Sequence, residues 1–112
     1  VIGHGPHYSL PVECYRGKPV YYGLGSFSFH TGHGGIKSGD WVGLLARVDF
    51  DNASKAITRA SFQFVRHNDQ NESVPCPLAN EQPMLEEIAR GSKPYNTRLE
   101  ADGDEVLIGL GG

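Results

Sequence analysis

The apolar positions of this 112-residue chain fall into short runs that alternate with polar ones. The clearest run is 41–50, where Val42, Leu44, Ala46, Val48 and Phe50 recur at every second position, the period that places side chains on one face of a strand. Asp51-Asn52-Ala53-Ser54 reads as a turn. Residues 56–66 then resume the alternation, with Ala60, Phe62 and Phe64 on one face and Arg59 and Gln63 on the other, so the two runs predict a hairpin. A second hairpin is predicted from Val12-Glu13-Cys14-Tyr15 and Lys18-Pro19-Val20-Tyr21-Tyr22, with Gly17 of the connecting Arg16-Gly17 supplying the positive φ of a tight turn. Pro19 lacks an N–H and is expected at an edge or a non-bonded position. Thr97-Arg98-Leu99-Glu100 and Val106-Leu107-Ile108, flanking Asp102-Gly103, predict a third hairpin. Met84, Leu85, Ile88 and Ala89 follow helical spacing instead. With Glu86 and Glu87 toward solvent and Gly91 as the stop, they predict a helix of two or three turns. Residues 68–83 are polar and proline-bearing and are expected to be irregular. Trp41 and the phenylalanines are expected in the core.

Fifteen glycines and seven prolines reinforce the picture of many turns between short elements, and the length is that of one domain with a single core. The net charge of −3, with no basic run, argues against nucleic acid or an anionic membrane surface as the main partner. No apolar stretch reaches the roughly 18 residues needed to cross a bilayer, and no export-signal pattern is present in the stretch itself. The abrupt opening on the apolar stub Val1-Ile2, without an initiator Met, is expected of a product of a longer protein. Cys14 and Cys76 are compatible with one disulfide or with two free thiols.

The candidate chemistry begins at Gly3-His4-Gly5-Pro6-His7. Two imidazoles three positions apart on a Gly/Pro turn belong to a sharply turned loop at a strand end, where metal ligands are often placed. A neutral imidazole binds a divalent cation at about 2.0–2.1 Å, and glycine lets backbone pass close to the ion. The alternative is a pair of polar loop histidines. A second His-x-x-His, His30 and His33, lies in the Gly/Ser/His-rich stretch 23–39, expected to be a long ordered loop anchored by Phe27 and Phe29. The four imidazoles could together close a zinc site. Glu13 is placed either to orient a ligand imidazole or as an ordinary exposed strand carboxylate. His67 reads as a solvated turn residue.

Taken in order, the blocks Gly3-His4-Gly5-Pro6-His7, Pro11-Val12-Glu13, Tyr15-Arg16-Gly17-Lys18-Pro19 and Tyr22-Gly23-Leu24-Gly25-Ser26-Phe27-Ser28-Phe29 resemble the C-terminal part of the CapA-type poly-γ-glutamate capsule biosynthesis family, whose domain is similar to the calcineurin-like metallophosphoesterases. The resemblance is specific over roughly residues 1–65 and loose beyond. It implies an α/β fold, with residues 1–112 the β-rich C-terminal portion of a single four-layer sandwich. It also implies a centre of two divalent ions, Mn, Fe or Zn, with His4 and His7 each giving a ligand to one ion. Two such ions about 3.5–4 Å apart clamp a phosphoryl or similar tetrahedral group and acidify a bridging water. The other ligand blocks of that superfamily lie toward the N-terminus, so the missing N-terminal part of the same domain is an implied partner and the isolated chain is expected to be inactive. Gly39-Asp40 does not replace them, because it follows the His turn and opens a strand. Ser26 and Gly23 stand where the family has Asn and Ser, which bears on the hydrogen bonding of that loop. His30 and His33 are expected either to line the substrate mouth or to cap the loop. The mouth is favoured, on the same side as His4 and His7, because the loop leaves the strand adjoining the His turn. The resemblance further implies a substrate that is a small molecule or related to polyglutamate, and a location at the cell envelope or extracellular face, with any membrane contact expected through segments outside this chain. Hydrolysis is implied by fold analogy alone. The contrasting possibility is a non-catalytic β-rich binding or interaction module, stabilised by zinc through the four histidines.

Overall fold

A computed structural model of the chain describes residues 1–4, 9–25, 42–67, 70 and 72–110. All three predicted hairpins are present: β1 (Val12–Tyr15) with β2 (Lys18–Tyr21), β3 (Gly43–Asp51) with β4 (Ala56–His67), and β6 (Leu99–Asp102) with β7 (Glu105–Ile108). A short β5 (Ser73–Pro75), a 3-10 turn (Leu78–Glu81), the helix α1 (Gln82–Ser92) and a second 3-10 turn (Lys93–Tyr95) connect the last two hairpins. The fold is mixed α/β and strand-rich.

Strand β4 organises the larger, five-stranded antiparallel sheet. It carries β3 along one side, and on the other it pairs with β7 at Ser61 and Phe62 and with β5 at Val65 to His67, while β6 adds outside β7. Its even positions fill the core: Ala60, Phe62 and Phe64 are buried, the two rings meeting edge to face at 5.6 Å. Leu44 stands opposite Phe64 in register, and Val106 opposite Phe62. Val12, Tyr21, Leu78 and Ile88 close over them from the smaller sheet and the helical segment. On the other face, Arg47 and Arg59 share the Glu105 carboxylate, which also accepts from Ser61 Oγ at 2.6 Å.

The smaller sheet is fastened by hydroxyl groups. Tyr21 Oη donates to the Ser61 carbonyl at 2.8 Å, and burial pushes its pKa up to about 12. The β1 amides of Val12 and Cys14 donate to Ser92 Oγ at 3.0 Å and Thr97 Oγ1 at 2.9 Å, so they are not bonded to β2. Cys14 and Pro19 are therefore a non-hydrogen-bonded pair, and the missing proline N–H costs the hairpin nothing. The turn between them uses positive φ at both Arg16 (51°) and Gly17 (75°).

Four features differ from expectation or resolve it. Residues 68–83 are not uniformly irregular: β5 extends the sheet, and Glu81, buried at the end of the 3-10 turn, makes a two-pronged ion pair with Arg66 at 2.7 and 2.9 Å. Three-residue strands carry no period to detect. Gly91 does not stop the helix, which runs on to Ser92 and through the second 3-10 turn to Asn96 in the left-handed region. The glycine is there because Pro11 packs against it, and a Cβ would overlap the proline ring. Val48 and Phe50 alternate with the core face but are 39% and 54% exposed, since the end of β3 runs past the core and its register shifts at Asp49/Phe50. Both cysteines are free thiols, Cys14 half-buried and Cys76 buried, and burial raises the Cys76 pKa.

Two stability predictions follow from these contacts. Replacing glycine by alanine inside a helix ordinarily gains up to about 1 kcal/mol, but overpacking against a fixed ring costs about 1–3 kcal/mol. Gly91→Ala should therefore lower the midpoint of urea unfolding, and a higher midpoint would show that the Pro11 contact is not tight. The Arg66 guanidinium holds the Glu81 carboxyl below its ordinary pKa, so its stabilisation is present above the unfolded carboxylate range and lost as pH falls through the lower, folded value. Arg66→Ala should cost about 2 kcal/mol near pH 7. The gap between variant and parent should shrink below about pH 4 in chemical denaturation.

Candidate functional site

The residues leading into the His turn form a strand stub, as their apolar character predicts. Val1 to Gly3 run parallel to β2: the Tyr21 amide donates to the Val1 carbonyl at 2.9 Å, and the Gly3 amide to the Tyr21 carbonyl at 2.6 Å. Gly3 is pressed so closely on the Tyr22 carbonyl that a Cβ would collide with it. His4 follows immediately and is exposed. On the return side, Ser9 bridges Leu24 in antiparallel fashion, and the Leu10 amide donates to the Gly23 carbonyl at 3.0 Å.

The long loop shares this anchorage. Its outgoing end, Leu24, accepts the Leu44 amide at 2.6 Å, and at its returning end the Val42 carbonyl accepts Ser9 Oγ at 2.6 Å. Four chain ends, two from each loop, are thus joined at one rim of the small sheet. Ser9 is the residue whose part here the sequence did not reveal. A serine between Tyr8 and Leu10 belongs to no pattern, and its partner lies 33 positions away. His7, His30 and His33, together with Phe27, Phe29 and Trp41, lie outside the described residues.

Glu13 is half-buried on β1, and its carboxylate accepts a hydrogen bond from the Tyr22 hydroxyl. That bond pushes the Tyr22 pKa up to about 12, since ionisation would break it and set a phenolate beside a carboxylate. The Tyr22 ring in turn rests against Tyr95, with centroids 5.6 Å apart. A carboxylate has acceptor sites beyond the one that Tyr22 uses, so this bond leaves Glu13 able to take a second donor. Among the described residues, no three His, Cys, Asp or Glu side chains are grouped to hold a metal ion. Among the described residues, the rim offers one exposed imidazole, His4, beside chain ends fixed by backbone hydrogen bonds.

No family model matches this chain. A stretch of 32 residues is 44% identical to the PGA biosynthesis protein CapA of Bacillus subtilis (strain 168). The relationship to CapA is short. It takes in 29% of this chain and 8% of that protein.

Glu13→Gln tests the phenol–carboxylate pair. Without the negative charge, the Tyr22 midpoint should fall from about 12 toward the ordinary value of about 10, followed by NMR of its ring carbon. An unmoved midpoint would mean that Glu13 does not set it.

Proposed function

We propose that this chain is the C-terminal part of a CapA-like capsule biosynthesis protein with a metallophosphoesterase-like centre, in which His4 and His7 each bind one of two divalent ions. The loop 23–39 carries His30 and His33 toward the substrate, a small molecule or a polyglutamate-related chain, at the cell envelope. In this reading the two sheets are one portion of a four-layer sandwich completed by the N-terminal part of the domain, and Glu13 orients a ligand imidazole.

The observation that supports this best is the shared root of the two loops. Metal-dependent catalysis needs ligands held in place before the ion arrives, and a turn pinned at Gly3 and Leu10 is held by backbone rather than by flexible side chains. Gly3 is required by contact with Tyr22, which gives a physical reason for the Gly-His pairing. His4 is exposed at a strand end, so its imidazole nitrogens are available to a borderline cation. This chain fits part of such a centre, with the acidic and amide ligands coming from the N-terminal part. When bound, two ions would neutralise a tetrahedral oxyanion and supply a hydroxide. The chain's own contribution, in this reading, is to anchor the segment that bears both imidazoles at Gly3 and Leu10 and to keep the ends of the long loop beside those anchors.

Metal analysis separates this proposal from a zinc-stabilised module. The 112-residue chain alone should retain less than one equivalent of Mn, Fe or Zn after desalting and should not hydrolyse generic phosphoesters. The longer polypeptide from its gene should hold two equivalents, and His4→Ala and His7→Ala should each remove one. Unchanged metal content in both variants would overturn the ligand assignment. A full equivalent of zinc on the chain alone, lost in His30→Ala, would replace the proposal with the module.

A further inference from the structure

A cavity of about 740 Å³ opens where β7 leaves β4. The ladder between these strands is only two residue pairs long, Ser61 with Leu107 and Phe62 with Val106. Beyond it the Gly109 amide turns to the Arg98 carbonyl, at 2.9 Å, instead of continuing along β4. The chain segments 58–60 and 107–110 therefore splay apart, and the β1–β2 turn and residues 95–98 wall the gap. This volume lies within the roughly 300–1,000 Å³ typical of small-molecule sites. The Arg16 turn is at the opposite end of the β1–β2 hairpin from Gly3 and His4.

The charge of the walls is one-sided. Arg16, Arg59 and Arg98 line the cavity against a single carboxylate, Glu100, although the whole chain carries a net charge of −3. Arg59 is already paired with Glu105 and Asp102. Arg16 and Arg98 have no carboxylate partner among the described residues, and the Arg16 guanidinium sits 5.3 Å from the centre of the Tyr15 ring. Arg16 also occupies a left-handed conformation, φ 51°, in a two-residue hairpin turn where glycine, asparagine or aspartate is the low-cost choice. A strained arginine facing a cavity is the kind of outlier from which function is argued.

We propose that this cleft binds a small organic anion, its carboxylate or phosphate held by Arg16 and Arg98 and its apolar part resting on Leu107 and Leu110. Guanidinium groups suit both anions, because their planar donors match paired oxygens. The site is independent of the proposed metal centre, since none of its residues is a candidate ligand there and anion binding at arginine needs no ion.

The test is an NMR titration of the 112-residue chain with inorganic phosphate and, separately, with succinate, at constant ionic strength and with EDTA present. Saturable shifts of the Gly17, Asn96 and Gly109 amides are expected with at least one anion, and the one that saturates identifies the headgroup. Arg98→Ala should weaken binding about tenfold, the equivalent of one charge-assisted contact. Arg16→Gly should weaken it similarly while raising the thermal midpoint, because glycine accepts the positive φ, so lost binding cannot be ascribed to unfolding. Arg90→Ala, on α1 outside the cleft, should titrate as the parent does. Linear, unsaturating shifts with both anions, or parental affinity in both Arg98→Ala and Arg16→Gly, would overturn the proposal.

Discussion

The hydrogen bond from the Tyr21 hydroxyl to the Ser61 carbonyl ties the two sheets of this protein together. Ser61 is fully buried on the central strand, and its hydroxyl is spent on Glu105 across the sheet. Tyr21 is itself the residue on which the Val1–Gly3 stub is built. A buried phenol without an acceptor is costly, so the small sheet has one favourable seat on the large one. The position of the rim that carries His4 relative to the core is a consequence of that seat.

Around the join, several polar groups are paired. Ser92 and Thr97 cover the outer edge of β1, Arg66 neutralises the buried Glu81, and Arg47 and Arg59 converge on Glu105. In the last group Arg47 is mostly exposed, so its ion pair with Glu105 contributes little, whereas the Arg59–Glu105 pair is half-buried. The Arg66–Glu81 pair differs because one of its members is buried.

The sequence revealed what is local and periodic. Alternation at Val42, Leu44, Ala60, Phe62 and Phe64 located the central hairpin, and Gly17 and Gly103 marked turns that do use positive φ. Val48 and Phe50 continue the same alternation without being buried, because a pattern shows which face a residue is on but not where the opposing layer ends. Gly91 reads as a stop because a glycine required by a neighbouring proline looks the same in sequence as one required by a cap. At the site, the strand stub that leads into His4 is legible in the apolar pair Val1-Ile2. The two bonds that join the return side of that segment to the long loop are not, because Leu10–Gly23 lies between backbone groups, which every sequence possesses, and Ser9 reaches a partner 33 positions away. The placement of His7, His30 and His33 falls outside the described residues.

The hydroxyl groups that cover β1 have a directional effect. With the outward amides of Val12 and Cys14 occupied and α1 packed alongside, this edge of the small sheet is closed to further strands. The opposite edge is formed by Val1 to Gly3, which approach β2 in parallel. Among the described residues the sheet is therefore open on that side alone, where a further strand would lie next to the residues that lead into His4. Extending the sheet and building up the surroundings of that imidazole are, in this architecture, a single event.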